Sequence, residues 1–266
     1  MAHPYKLAAI DLDGTLLGPD KSISPENVAA LRQLEAAGIE VVVATGRHRS
    51  RIVDALEHLP HTRWAVTSQG AAVLDIPSGE TLEAVFLEDD DTRMLLDLGV
   101  ALGFSPLLYD ETDVRAIRRD AGTELYARIV GGMPTVLTAA ELATARAHKV
   151  VWIGGEPEIA GLPDHPQVCA LSLYHVQSLP GMYEFLPQGV TKGSGVAALA
   201  RRLGVDAQEV VAFGDADNDI PMFEWAGTSF AMPHATPKAI AAACQLAPAG
   251  APESAFARAV STLGLG

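Results

Sequence analysis

The chain has 266 residues, with 19 Lys+Arg against 33 Asp+Glu for a formal charge of −14; 48% of residues are hydrophobic and 20% charged. That composition is globular, not disordered, and the length suits one large domain or two ordinary ones. The acidic balance argues against nucleic acid or an anionic membrane as partner, the two cysteines cannot build a disulfide framework or a four-thiolate zinc site, and no apolar run approaches bilayer-spanning length.

Residues 6–10 (Lys-Leu-Ala-Ala-Ile) form a short apolar run, the mark of a strand buried on both faces. The run begins next to the N-terminus and stops at Asp11, too short and too acidic for a signal peptide, so a cytoplasmic protein is expected. Residues 24–37 read as a helix, with Ser24 to cap it, Pro25 at its first position and Gly38 at its exit. Strands are predicted at 39–44, ending on Thr45-Gly46-Arg47, and at 63–67. This alternation implies parallel pairing with right-handed crossovers. After about residue 70 the rhythm changes. A hairpin is expected over 71–87 around Pro77-Ser78-Gly79, then a helix starting in Glu88-Asp89-Asp90-Asp91, where the acids face the positive end of the helix dipole and mark a helix start and not a metal site. Shorter, less regular elements follow. Cys169 reads as a buried packing residue of an apolar strand, and the three tryptophans as core. The βα rhythm returns with Tyr183-Glu184-Phe185-Leu186, a helix from about 193 to 203, a strand at 209–213, a helix from about 218 to 226, a strand at 228–232 and two closing helices. The expected organisation is an α/β core made of 1–82 and 185–266, with an α/β domain inserted at 83–184.

Four features fall at the carboxyl ends of predicted core strands, where open α/β sheets bind ligands. They are Asp11-Leu12-Asp13-Gly14-Thr15, Thr45-Gly46-Arg47, Lys192, and Gly214-Asp215-Ala216-Asp217-Asn218-Asp219. Asp11 and Asp13 can point the same way, and Asp215 can meet them if the strands are neighbours. Clustered carboxylates repel one another and call for a hard cation, and oxygen-only ligands suit Mg²⁺. Lys192 adds a second positive charge, Thr45 a hydroxyl, and the loop from Gly46 amide donors. Such a set fits a phosphate ester: one carboxylate attacks phosphorus in line, and the other protonates the leaving oxygen and then activates water.

Asp11-Leu12-Asp13-Gly14-Thr15-Leu16-Leu17 resembles the first motif of the haloacid dehalogenase-like superfamily, and Gly214 to Met222 resembles the last motif of its Cof-like phosphatases. Thr45-Gly46-Arg47 and Val190-Thr191-Lys192-Gly193 fit the second and third motifs, in order along nearly the whole chain. The resemblance implies a Rossmann-like, doubly wound parallel-sheet core with a type II cap. It implies Asp11 as nucleophile, Asp13 as general acid/base, and Mg²⁺ held by Asp11, the Asp13 backbone carbonyl and Asp215. Thr45, Gly46 and Lys192 would bind the phosphoryl group, with Asn218 and Asp219 supporting the metal site and Lys192. The expected substrate is a small phosphorylated metabolite such as a sugar phosphate, and the expected state a monomer or homodimer. The chain departs from the family at Gln69, where Asn is usual, and in the tail from Cys244. A phosphomutase returning the phosphoryl group to sugar, and a phospholigand-binding protein without turnover, are the alternatives. Gly193-Ser194-Gly195-Val196-Ala197-Ala198 matches a dinucleotide fingerprint formally, but Lys192 leads into it and Asp215 already belongs to a denser motif. Arg47 can reach a phosphate or pair with an acid.

Overall fold

The computed structural model describes residues 4–53, 59 and 62–265. It divides into two units, Met1–Thr45 with Ala55–Glu83 and Thr191–Gly266, and Gly46–Asp54 with Ala84–Val190. The chain runs through β1 (Leu7–Ile10), β2 (Glu40–Ala44), β3 (Trp64–Thr67), β4 (Ala72–Asp75) and β5 (Glu80–Ala84). It then supplies β6 (Ser105–Tyr109), β7 (Val114–Ala116), β8 (Thr135–Val136), β9 (Lys149–Ile153), β10 (Tyr174–Leu179) and β11 (Met182–Leu186). It ends with β12 (Val210–Gly214), β13 (Thr228–Ala231) and β14 (Gln245–Leu246).

The first unit holds an eight-stranded sheet in the order β14-β13-β12-β1-β2-β3-β4-β5. The pairs from β14 to β3 are parallel and β3–β4 is antiparallel. This is the Rossmann-like arrangement expected. Every residue of β1 is fully buried, which is why the strand reads as an unbroken apolar run. Ile10 lies level with Phe213 on one side and Val43 on the other, so Asp11, Gly214 and Ala44 come to the same edge of the sheet. The helix Pro25–Ala36 is capped by Ser24, whose side chain accepts the Asn27 N–H. The helix Lys192–Leu203 is opened by a capping box of Thr191 and Ser194. Its first turn lies so close to the loop after β3 that a Cβ on Gly70, at φ +99°, would sit 1.9 Å from the Thr191 carbonyl oxygen. Ser68 and Gln69 beside it also have positive φ, 51° and 61°. Three left-handed residues in a row store strain at the carboxyl end of a core strand.

The second unit holds a six-stranded sheet in the order β10-β11-β9-β6-β7-β8, antiparallel except for β7–β8. Trp152 is fully buried between Phe104 and Phe185, and its indole N–H donates to the Leu95 carbonyl at 2.9 Å. The helix Asp89–Ala101 begins in the acidic run as expected, with Glu88 as its N-cap.

Three details differ from the sequence reading. Tyr183–Leu186 belongs to β11 of this second sheet, not to the core, because a strand buried on both faces looks alike in either sheet. The division falls after Glu83 and Val190 where 82/83 and 184/185 were expected, and Gly46–Asp54 groups with the inserted unit. Cys169 is exposed at the end of the short helix Pro166–Cys169, its Sγ 3.1 Å from the Pro163 carbonyl oxygen. Among the described residues, no helix is long and apolar enough to cross a membrane.

Candidate active site

Within the first unit, the loops after β1 and β12 and the start of the helix Lys192–Leu203 bring four charged groups together. The Lys192 ammonium donates to Asp11 Oδ1 at 2.6 Å and to Asp219 Oδ1 at 2.7 Å. Lys192 and Asp11 are buried, and Asp219 is wholly so. The remaining Asp219 oxygen accepts the N–H groups of Asp215 and Ala216 at 2.9 and 3.0 Å, which fixes the turn after β12. Asp215 accepts from Thr15 Oγ1 at 3.3 Å. Carboxylate oxygens of Asp11, Asp215 and Asp219 lie within 4.8 Å of one another.

Three carboxylates against one ammonium leave an uncompensated negative charge in a buried place. Burial pushes the Asp11 carboxyl well above its ordinary range; Lys192 opposes this, while Asp219, Asp215 and Asp13 add to it. Burial, then Asp219, raises Asp215 to about 7. Burial pulls the Lys192 pKa down, but Asp11 and Asp219 more than offset it and hold it above its ordinary value. An all-oxygen set with surplus negative charge fits a hard divalent cation. A Cβ on Gly14, at φ +84°, would lie 2.3 Å from Asp215 Oδ2, so the Asp13–Gly14 turn closes directly onto this cluster.

Of the other expected residues, Asp13 stands apart from the metal-type cluster: its side chain pairs with Lys21 at 2.7 Å. Asn218 does not reach Lys192; its amide donates to Gln69 Oε1 at 3.1 Å, so the residue that departs from the family pattern is the one it braces. Thr45 is buried, its N–H donating to Val66 O at 2.8 Å and its carbonyl accepting from Gln69 N–H at 3.1 Å. Gly46 falls in the second unit, where its carbonyl accepts from Lys149 Nζ at 2.8 Å. In that unit the Arg47 guanidinium donates to the Arg51 carbonyl at 3.3 Å.

Sequence reasoning gave no role to Thr15, Lys21 or His234. Thr15 sits inside the first motif and was within reach of it. His234, whose Nε2 lies 2.6 Å from the Gly14 carbonyl oxygen, follows β13 at the same carboxyl edge, a position that could have flagged it. Nothing local ties Lys21 to Asp13.

The family model of haloacid dehalogenase-like hydrolases matches residues 8–251. The chain belongs to this family. The hydrolase is 31% identical over 238 residues to an HMP-PP phosphatase of Serratia proteamaculans, covering 88% of this chain and 86% of the relative. A haloacid dehalogenase-like hydrolase from Bacteroides thetaiotaomicron superposes with TM-score 0.82 at 25% identity, over 97% of the hydrolase and 99% of that chain. A subclass IIB sugar phosphatase shares the fold with TM-score 0.85 at 21% identity, over 98% and 99% of the two chains.

Proposed function

We propose that this hydrolase is a Mg²⁺-dependent phosphomonoesterase of small phosphorylated metabolites, sugar phosphates among them, working through an aspartyl-phosphate on Asp11. The observation that carries the reading is Lys192, buried and shared between Asp11 and Asp219 at 2.6 and 2.7 Å beside the half-buried Asp215. The names of the Serratia relative and of the subclass IIB neighbour support the substrate class.

Asp11 and Asp215, with the Asp13 backbone carbonyl, are the residues that would hold the cation, and Asp219 would hold Lys192 and the Asp215 turn. A bound Mg²⁺ supplies charge neutralisation for the phosphoryl oxygens. Lys192 lies against the nucleophile, so its ammonium both favours the ionised Asp11 and meets the dianion that approaches it. The Asp11 carboxylate forms the bond to phosphorus as the bond to the ester oxygen breaks. Asp13 gives its proton to that leaving oxygen, then takes one from the water that hydrolyses the aspartyl-phosphate. Lys21 engages Asp13 Oδ1 at 2.7 Å and orients the carboxyl group. Thr45 and Gly46 contribute a hydroxyl and an amide to the phosphoryl oxygens.

The test is phosphate release over a panel of phosphorylated metabolites with Mg²⁺, with EDTA, and with Asp11→Asn. Activity is expected with Mg²⁺ above Ca²⁺, and none with EDTA or with Asp11→Asn. Full turnover by Asp11→Asn, or in excess EDTA, overturns the reading.

A further inference from the structure

Lys149 lies in β9 of the second unit with none of its surface exposed. Burying an ammonium is costly, and a well-packed apolar side chain of similar volume often serves stability as well or better. What surrounds Nζ suggests another use. It donates to the Gly46 carbonyl at 2.8 Å, pairs with the Glu184 carboxylate and sits 4.3 Å from the centroid of the Tyr109 ring. Glu184, itself buried on β11, accepts a second hydrogen bond from Ser178 Oγ on β10. A polar chain thus runs across three strands and ends on one backbone carbonyl, that of the residue directly after Thr45.

We infer that Lys149, oriented by Glu184, is a positioning residue for the turn that begins at Gly46. This rests on the reading of Thr45 and Gly46 as phosphate-binding. The peptide unit is planar and trans, so its C=O and N–H point in opposite directions. Fixing the Gly46 oxygen on Lys149 therefore aims the Arg47 N–H away from β9. The ammonium also polarises that peptide and makes its N–H a stronger donor. Downstream, the segment is fastened to the same unit by His48 Nε2 on the Asp110 carbonyl at 2.8 Å and by Ser50 and Arg51 on Asp113 at 2.7 and 3.2 Å. With both ends held, the turn is presented in one conformation.

The experiment compares Lys149→Met and Glu184→Gln with the parent enzyme, using competitive inhibition by orthophosphate, kcat and KM for a small aryl phosphate, and thermal unfolding. Orthophosphate reports on phosphoryl binding without a leaving group, and Lys192, Asp11 and Asp215 are unchanged in these variants. Its inhibition constant is expected to rise about tenfold in Lys149→Met, and less in Glu184→Gln, which keeps the ammonium. Lys149→Arg, which keeps a donor and the charge, is expected to recover most of the loss. Should Lys149→Met fail to fold, Glu184→Gln and Lys149→Arg carry the same comparison. A folded variant with a lower melting temperature and the parental inhibition constant overturns the inference and leaves a purely structural role. Orthophosphate that does not compete in the parent, where Asp11→Asn is inactive, overturns the assignment of Thr45 and Gly46 and this inference with it.

Discussion

Replacing Gly14 by alanine separates two costs that the structure makes calculable. The first is conformational. Gly14 has φ +84°, and a left-handed L-residue costs about 1–2 kcal/mol. At ~2–4 °C per kcal/mol for a chain of this size, that is a fall in Tm of roughly 2–8 °C. The second is steric. The new Cβ would stand 2.3 Å from Asp215 Oδ2, where ordinary contact begins at 3.4 Å, so the carboxylate must yield by about 1 Å. A displacement of that size at a reacting centre is expected to cost about 10²-fold in turnover. The Mg²⁺ concentration for half-activation should rise with it. Gly38→Ala is the matched control: φ is +75° there and nothing lies within 4 Å of the added methyl. It should lose stability by a similar amount and keep full turnover. The assay is thermal unfolding of both variants beside steady-state kinetics over a Mg²⁺ titration. If Gly14→Ala loses only stability, with parental kcat and Mg²⁺ dependence, Asp215 is not needed where the structure places it.

Burial lowers the His48 pKa to about 4, and its neutral ring is held by Asp110 and Ser50. The unfolded chain then binds the extra proton between about pH 6.5 and 4, so this contribution is present above pH 6.5 and is lost as pH falls through that window. Denaturant unfolding at pH 7 and 4.5 should show His48→Gln losing roughly 2–3 kcal/mol less than the parent on acidification; equal losses refute the assignment. Lys192→Met leaves Asp11 and Asp219 buried without their ammonium. It should cost about 3–5 kcal/mol in calorimetry as well as turnover, and a stable, inactive variant would show that the ion pairs are purely catalytic. Trp152→Ala empties the centre of the second sheet's core and should cost about 3–5 kcal/mol; a change below about 1 kcal/mol would contradict the packing described.

The parallel sheet was legible because its strands are short runs buried on both faces, and its helices because Ser24, Thr191 and the acidic run at 88–91 announce their starts. The same signal misplaced Tyr183–Leu186, since burial on both faces does not say which sheet a strand joins. The attachment of Gly46–Asp54 to the inserted unit was not legible either, because Lys149, Asp110 and Asp113 lie 60 or more residues away in sequence and no local pattern points to them. At the site, the position of the motifs at strand ends pointed to Asp11, Lys192 and Asp215, and the family resemblance added Asp219, which the structure places on Lys192. Neither revealed that Asp13 turns to Lys21 or that Asn218 braces Gln69, because both depend on side-chain directions that only tertiary packing sets.

Cys169 and Cys244 are both free and exposed, and they belong to different units. The chain has no other cysteine. Thiol-reactive fluorophores or spin labels will therefore place one probe on each unit without any mutation. Energy transfer or pulsed dipolar spectroscopy between them then measures the distance between the two units, with and without substrate, in the unaltered enzyme.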